Sequence, residues 1–259
     1  MAVSASRSCT YSIRPYGSRC GRSWFVAFPQ ADRFGGDQTF ADALLQMPSV
    51  IATFEGGSSY APTTGTVILG DGEPIQGIAS QGVIGNVSVL AESAYQGLAV
   101  ARTDVDNLVR RLPLLLQTSD GWTPSFGVQV IKMVAGADTY IIKGQQGQIE
   151  ELTIAGYAQI PVDNIGRRWV SWIDTPSTSL DEMDVKDKFV FVGVSAKGVM
   201  PQIATPVGLL YPHHIQAALA ESMTVDVPAI PGTALLYELL ILITVLLLTI
   251  FIIRTFGLI

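Results

Sequence analysis

Four stretches of this chain carry side chains of the kind that do chemistry. Gly193-Val-Ser195-Ala-Lys197-Gly198 leaves a short apolar run through small residues and offers a serine and a lysine. His213 and His214 are the only histidines. Asp104 and Asp106, with Asn107 beside them, set oxygen ligands at close spacing, and Arg110 with Arg111 follows directly. Each arrangement has a known chemical use against which its spacing is testable.

A phosphate-cradling loop needs Gly, four residues, then Gly-Lys-Ser/Thr, so that backbone N–H groups wrap the phosphates and the lysine reaches over them. Gly193 and Gly198 have that separation, but the lysine precedes the second glycine, and Val199 and Met200 follow it. A nucleophile elbow needs Gly-x-Ser-x-Gly for its strained turn, and Lys197 stands where the last glycine belongs. A hydrolase using Ser195 with His213 or His214 therefore stands only as an alternative, and no catalytic residue is expected. The plainer reading is that glycine and alanine let the chain pass close to neighbouring elements.

Adjacent histidines point in different directions, so His213 and His214 do not readily clasp one metal as residues four apart do. Cys9 and Cys20 both lie near the N-terminus, and the rest of the chain has no cysteine to add. No metal and no cofactor are expected. The Asp104/Asp106 stretch resembles the start of a calcium loop, but Leu108 stands where another oxygen ligand is required and Val109 where the glycine is. Asp and Asn in a tight turn are the commoner explanation. Arg110 and Arg111, with His214, are the candidate ligand-binding residues, although a pair of exposed arginines is more often a solvated face.

The elements that must hold these residues read as alternating strands and helices. Apolar residues at Phe40, Ala43, Leu44 and Met47 make a helical stripe ended by Pro48, and Ser-Val-Ile-Ala-Thr-Phe then reads as a strand. Residues 65–70 and 82–90 read as further strands, and residues 102–116 as a hairpin turning near Asp106 and Asn107. A helix follows, with Pro124 in its first turn and Gly136 at its stop. Strands are expected around residues 138–144, 147–156 and 167–174. From Lys188 to Val194 the run is apolar on both faces, which predicts a central strand covered on each side. A last helix of the body begins near Pro212. The pattern predicts an α/β or α+β layered domain with a mixed central sheet.

Composition adds a membrane. In 259 residues the hydrophobic content is 48% and the mean hydropathy +0.37, high for a wholly soluble chain. Residues 234–253 form an apolar run interrupted only by Glu238. As a helix this spans roughly 30 Å, the thickness of the hydrocarbon layer. Arg254 follows it, so the positive-inside tendency puts residues 254–259 in the cytoplasm and the globular body, residues 32–228, outside. Residues 1–31 carry four arginines and no acid and read as a basic, disordered leader. With a net charge of -6 overall, the remainder carries -10, which makes nucleic acid an unfavourable partner. The expected partners are the lipid bilayer, a small extracellular ligand, and a second copy or a full-length receptor.

The order of motifs also resembles a family. Residues 32–54, Val105 to Leu116, the Pro124–Gly136 stretch, the Lys188-led strand with its Val-Gly-Val-Ser-Ala turn, Thr205-Pro206 and the helix holding His214 together resemble the type 2 CHASE domain, a sensory extracellular domain associated with cyclases and histidine kinases in bacterial receptors. The resemblance implies an extracytoplasmic signal-input module of the cytoplasmic membrane, with no enzymatic residues. That family normally opens with a membrane helix and a further piece of sheet, and continues to an output domain. The basic leader stands in place of the first, and only six residues follow the apolar run, so a receptor fragment truncated at both ends is expected. A partner-binding module without a ligand is the remaining alternative.

Overall fold

The computed structural model describes residues 2–8, 21–59, 62, 65–172, 177–179, 188–196, 200–224 and 234–256. The chain divides into two compact units, Met1–Val227 and Pro228–Ile259. Among the described residues there are five helices: α1 (Gly36–Leu45), α2 (Ser88–Ala91), α3 (Phe126–Ala135) and α4 (Pro212–Thr224) in the first unit, and α5 (Ala234–Phe256) in the second.

The largest sheet of the first unit is mixed. Four of its strands run parallel in the order Lys188–Gly193, Arg22–Trp24, Ser49–Ser59, Tyr95–Ala99, with Val190 beside Arg22, Arg22 beside Ser49 and Val50 beside Tyr95. Ala2–Ser8 adds antiparallel to Lys188–Gly193 and carries Ser177–Ser179 on its far side, while Val83–Ile84 pairs antiparallel with Ser49–Ser59. The run from Phe189 to Val192 is buried throughout. Phe189 and Phe191 enter the main core, whereas Val190 and Val192 pack with Trp24 in a separate cluster, so both faces are covered as the unbroken apolar run predicts.

On the main-core face lies α3, which is buried almost all round because it is clasped from two sides. A Cβ at Gly97 would stand 2.7 Å from the Cα of Phe126, and one at Gly127 would stand 2.7 Å from the carbonyl oxygen of Gln216 in α4. These glycines set how closely strand, α3 and α4 stack. Gly136 ends α3 at φ 64, where its N–H reaches the carbonyls of Lys132 and Met133. Just ahead of α1, Asp32 accepts from the N–H of Gly36 and Asp37 accepts from the N–H of Asp32, each at 2.8 Å.

A second sheet runs Ala158–Pro161, Gln148–Ile154, Thr139–Gln145, Gly65–Leu69, with the last pair parallel and Gly65–Leu69 at the edge. Three smaller sheets complete the β structure described: Arg111–Pro113 with Arg167–Trp169, Ile203–Thr205 with Gly208–Leu210, and Leu115–Thr118 set between Gly121–Pro124, antiparallel, and Ile78–Ala79, parallel.

Several expectations are corrected here. Residues 1–31 are not all outside the fold: Ala2–Ser8 and Arg22–Trp24 are sheet strands, and Phe25 is a core residue touching Phe54 and Phe126 edge-on. Backbone pairing on both sides carries Arg22–Trp24, which its polar residues conceal. Residues 82–90 form only the two-residue strand Val83–Ile84 before turning into α2. Asp104 and Leu108 do close a turn, but Arg111–Pro113 then pairs with Arg167–Trp169 rather than folding back as a hairpin arm. Pro124 lies opposite Leu115 at the end of a strand, and the helix starts after Ser125.

In the second unit α5 is a single helix whose residues 236–255 have a mean hydropathy of 2.8, long and apolar enough to cross a membrane.

Candidate functional site

In open sheets with parallel strands, ligand sites collect where the strands deliver their carboxyl ends. Here that edge is met by the first turn of α4. Gln216 fixes it: its Nε2 donates to the carbonyl of Val100, just beyond the Tyr95–Ala99 strand, at 2.6 Å, and its Oε1 accepts from the N–H of Gly127 at 2.9 Å. At the other end of α4 the buried Arg168 donates to the carbonyl of Ser222 at 2.8 Å, placing a cation on the negative end of the helix dipole.

This placement drives His213 against Gly193. A Cβ at position 193 would lie 2.3 Å from Cγ of the imidazole, so only a glycine admits the ring. His213 is 0% exposed, stacked on Tyr211 at 5.8 Å and 13°, with Phe25 at 6.2 Å and His214 edge-on at 4.3 Å. Neither ring nitrogen of His213, nor Nε2 of His214, has a hydrogen-bond partner among the described residues. Burial, and then repulsion from His214, lowers the pKa of His213 to about 4; burial lowers that of His214 as well. At neutral pH His213 is an uncharged ring in an aromatic cage.

The hydrolase alternative needs a hydrogen bond between Ser195 and an imidazole nitrogen. His213 makes none through either nitrogen, and no hydrogen bond of Ser195 to His214 is present among the described residues. The 193–196 stretch serves instead as the close pass that its small residues suggest. Lys197 and Gly198 lie outside the described residues. Among the described residues no group of three or more His, Cys, Asp or Glu is placed to hold a metal ion.

Arg110 and Arg111 are brought together with Arg167 and three carboxylates. Asp104 receives Arg111 at 2.5 Å, Arg110 at 3.6 Å and Arg167 at 3.8 Å. Asp163 receives Arg167 at 2.7 Å and Arg111 at 3.4 Å, and Asp106 takes both terminal nitrogens of Arg110 at 2.8 and 2.6 Å. The Arg110 guanidinium holds Asp106 down to a pKa of about 2. Arg111 also lies over the Trp169 ring at 5.4 Å. Three arginines facing three aspartates form a neutral clamp between residues 104–111 and 163–169. An anionic ligand would have to displace carboxylates already seated there. The same aspartates that suggest a calcium loop are spent on these ion pairs. No hydrogen bond or ring contact links His214 to either arginine among the described residues.

Sequence reasoning missed Tyr211, Gln216, Asp163 and Arg167. Asp163 and Arg167 stand four apart, a spacing that announces a local ion pair, but nothing in the sequence points Arg111 at Asp163. The Gly193–His213 contact has no local signature at all.

The model of the CHASE2 domain matches residues 18–252, most of the chain, and the chain belongs to that family of extracellular sensory domains. No curated protein and no solved structure matched it.

Proposed function

We propose that this chain is the membrane-anchored signal-input module of a bacterial transmembrane receptor of the cyclase or histidine kinase type. In this reading α5 lies in the cytoplasmic membrane and the α/β body outside the cytoplasm. The observation that carries it is the reach of the family match, which starts at residue 18 in front of the Arg22–Trp24 strand and ends at residue 252 inside α5. Sensory body and apolar helix therefore belong to one family unit. Arg254 at the far end of α5 favours the outward orientation of the body.

A sensor of this kind works by population shift. A ligand that binds one arrangement of the body more tightly than another moves the equilibrium by its differential affinity, and the attached helix reports the change. The full chain, expressed in a bacterium, is expected to sediment with membranes and to resist alkaline carbonate extraction, whereas a chain lacking residues 234–256 is released. Recovery of the full chain in the soluble fraction would overturn the proposal.

A further inference from the structure

Two neutral imidazoles hold the first turn of α4 against the main sheet, and nothing beside them is suited to a charge. His213 is fully buried, its ring stands where a Cβ of Gly193 would be, and His214 lies edge-on to it with the ring centroids 4.3 Å apart. Among the described residues neither nitrogen of His213, nor Nε2 of His214, has a hydrogen-bond partner. A proton on either ring adds an N–H donor with no acceptor and a charge with no water, which is unfavourable inside a protein.

The location makes it more so. Both rings stand at the N-terminal end of α4, where the N–H groups of His214 and Ile215 converge on the Tyr211 carbonyl at 2.9 and 3.3 Å, and the helix dipole opposes a cation. The strands and the helix packed here carry no carboxylate: their charged residues are Arg7, Arg22, Lys188 and, in α3, Lys132. Tyr211, stacked on His213, is a further titratable neighbour, and the acid of α4, Glu221, is about two turns away. Burial and the adjacent ring accordingly lower the pKa of His213, and burial that of His214. Once the first turn opens, both rings regain water and the ordinary value of 6.5, so acid favours opening.

The other end of α4 does not share this sensitivity. Arg168 donates to the Ser222 carbonyl at 2.8 Å and the Tyr157 hydroxyl to the Met223 carbonyl at 3.3 Å, and neither side chain titrates in mild acid. α4 is also the last element before the chain passes through residues 225–233 to α5. We propose that the His213–His214 pair is a proton-binding site through which acidity outside the cytoplasm releases the first turn of α4 from the main sheet while its last turn stays anchored. This role rests on the outward-facing reading of the body, because the medium outside the cytoplasm follows the acidity of the surroundings.

Hydrogen exchange of the full chain in lipid nanodiscs, corrected for the pH dependence of intrinsic amide exchange, reads the opening directly. Each proton taken up on opening raises the opening constant by about tenfold per pH unit. With two rings, residues 214–217 are expected to open by more than about tenfold per pH unit from about pH 6.5 to 5, while residues 127–134 of α3 and 221–224 of α4 do not follow. His214→Gln should bring the slope to about tenfold or less, and His213→Phe together with His214→Gln should abolish it. A parental slope no steeper than that of His214→Gln, a slope that survives the double substitution, or an equal response in α3 would each overturn the release. Since His213 and His214 are the only histidines, ring-labelled histidine gives the untagged chain two NMR signals, which decide the question even where the double variant does not fold. Both rings should be neutral at pH 7 and gain their protons over the range in which α4 opens; a ring already charged at pH 7, or one that charges while α4 stays closed, contradicts the proposal. A body that opens with acid but faces the cytoplasm would overturn the sensing role together with the outward-facing reading; a body that faces outward and stays closed overturns the proton site alone.

Discussion

One missing methyl at Gly193 decides how α4 meets the main sheet. With the imidazole of His213 seated where that methyl would be, Gly193→Ala must push the ring, and the helix carrying it, away from the strand. Overpacking of this sort costs about 1–3 kcal/mol, to be read from denaturant unfolding of the full chain in detergent. Because the clash is with one side chain, adding His213→Ala should recover part of the loss, and the two substitutions should not be additive. The same imidazole makes stability depend on pH. Its pKa is about 4 in the fold against 6.5 for an unperturbed histidine, so the folded state favours the neutral ring. That contribution is fully present above pH 6.5 and is lost as the pH falls from there to about 4, roughly 3 kcal/mol in all. His213→Phe should flatten this part of the stability profile between pH 7 and 4; an unchanged slope would mean that the ring is not held neutral. The sequence shows that residues 193–196 permit close approach, but not by what, since the partner lies on a distant helix. Arg110 and Arg111 illustrate the converse: their charge is legible, and so is the local pair of Arg110 with Asp106 four residues earlier, but the neutralisation of Arg111 by Asp163 is a tertiary fact.

At the scale of elements, helices were legible where they carry their own punctuation. The stop of α3 at Gly136 and the start of α4 at Pro212 follow from local backbone chemistry, and the apolar run of α5 from composition. Short strands were not, because tertiary pairing makes them. Arg22–Trp24 sits between two parallel neighbours although arginine and serine give it no β signature, and Val83–Ile84 keeps only two residues of a longer β-like stretch. What locks α4 is likewise non-local: Gln216 ties its first half to Val100 and Gly127, and Arg168 ties its last turn through Ser222. Arg168→Met keeps much of the apolar stem but leaves the Ser222 carbonyl without that donor. The expected loss is about 1–3 kcal/mol, seen as a lower melting temperature together with earlier amide exchange in α4 than in α3. Equal changes in both helices would show that Arg168 does not act locally on α4.

For the whole molecule, the order of motifs along the chain proved the most informative part of the sequence, since it pointed to the family whose model spans residues 18–252. The candidate site was much less legible. Arg110 and Arg111 stand in a neutral ion-pair clamp and His214 lies edge-on to the rings of Tyr211 and His213, and neither these partners nor the burial of His213 can be read from residue types. Orientation across the bilayer is the claim on which the signal-input reading depends. It is tested most directly by adding protease to spheroplasts and, in parallel, to inverted inner-membrane vesicles holding the full chain. The account predicts that the body is digested in spheroplasts, leaving a membrane-protected fragment that contains α5, and survives in inverted vesicles. A body that survives in spheroplasts and is digested in inverted vesicles would contradict it.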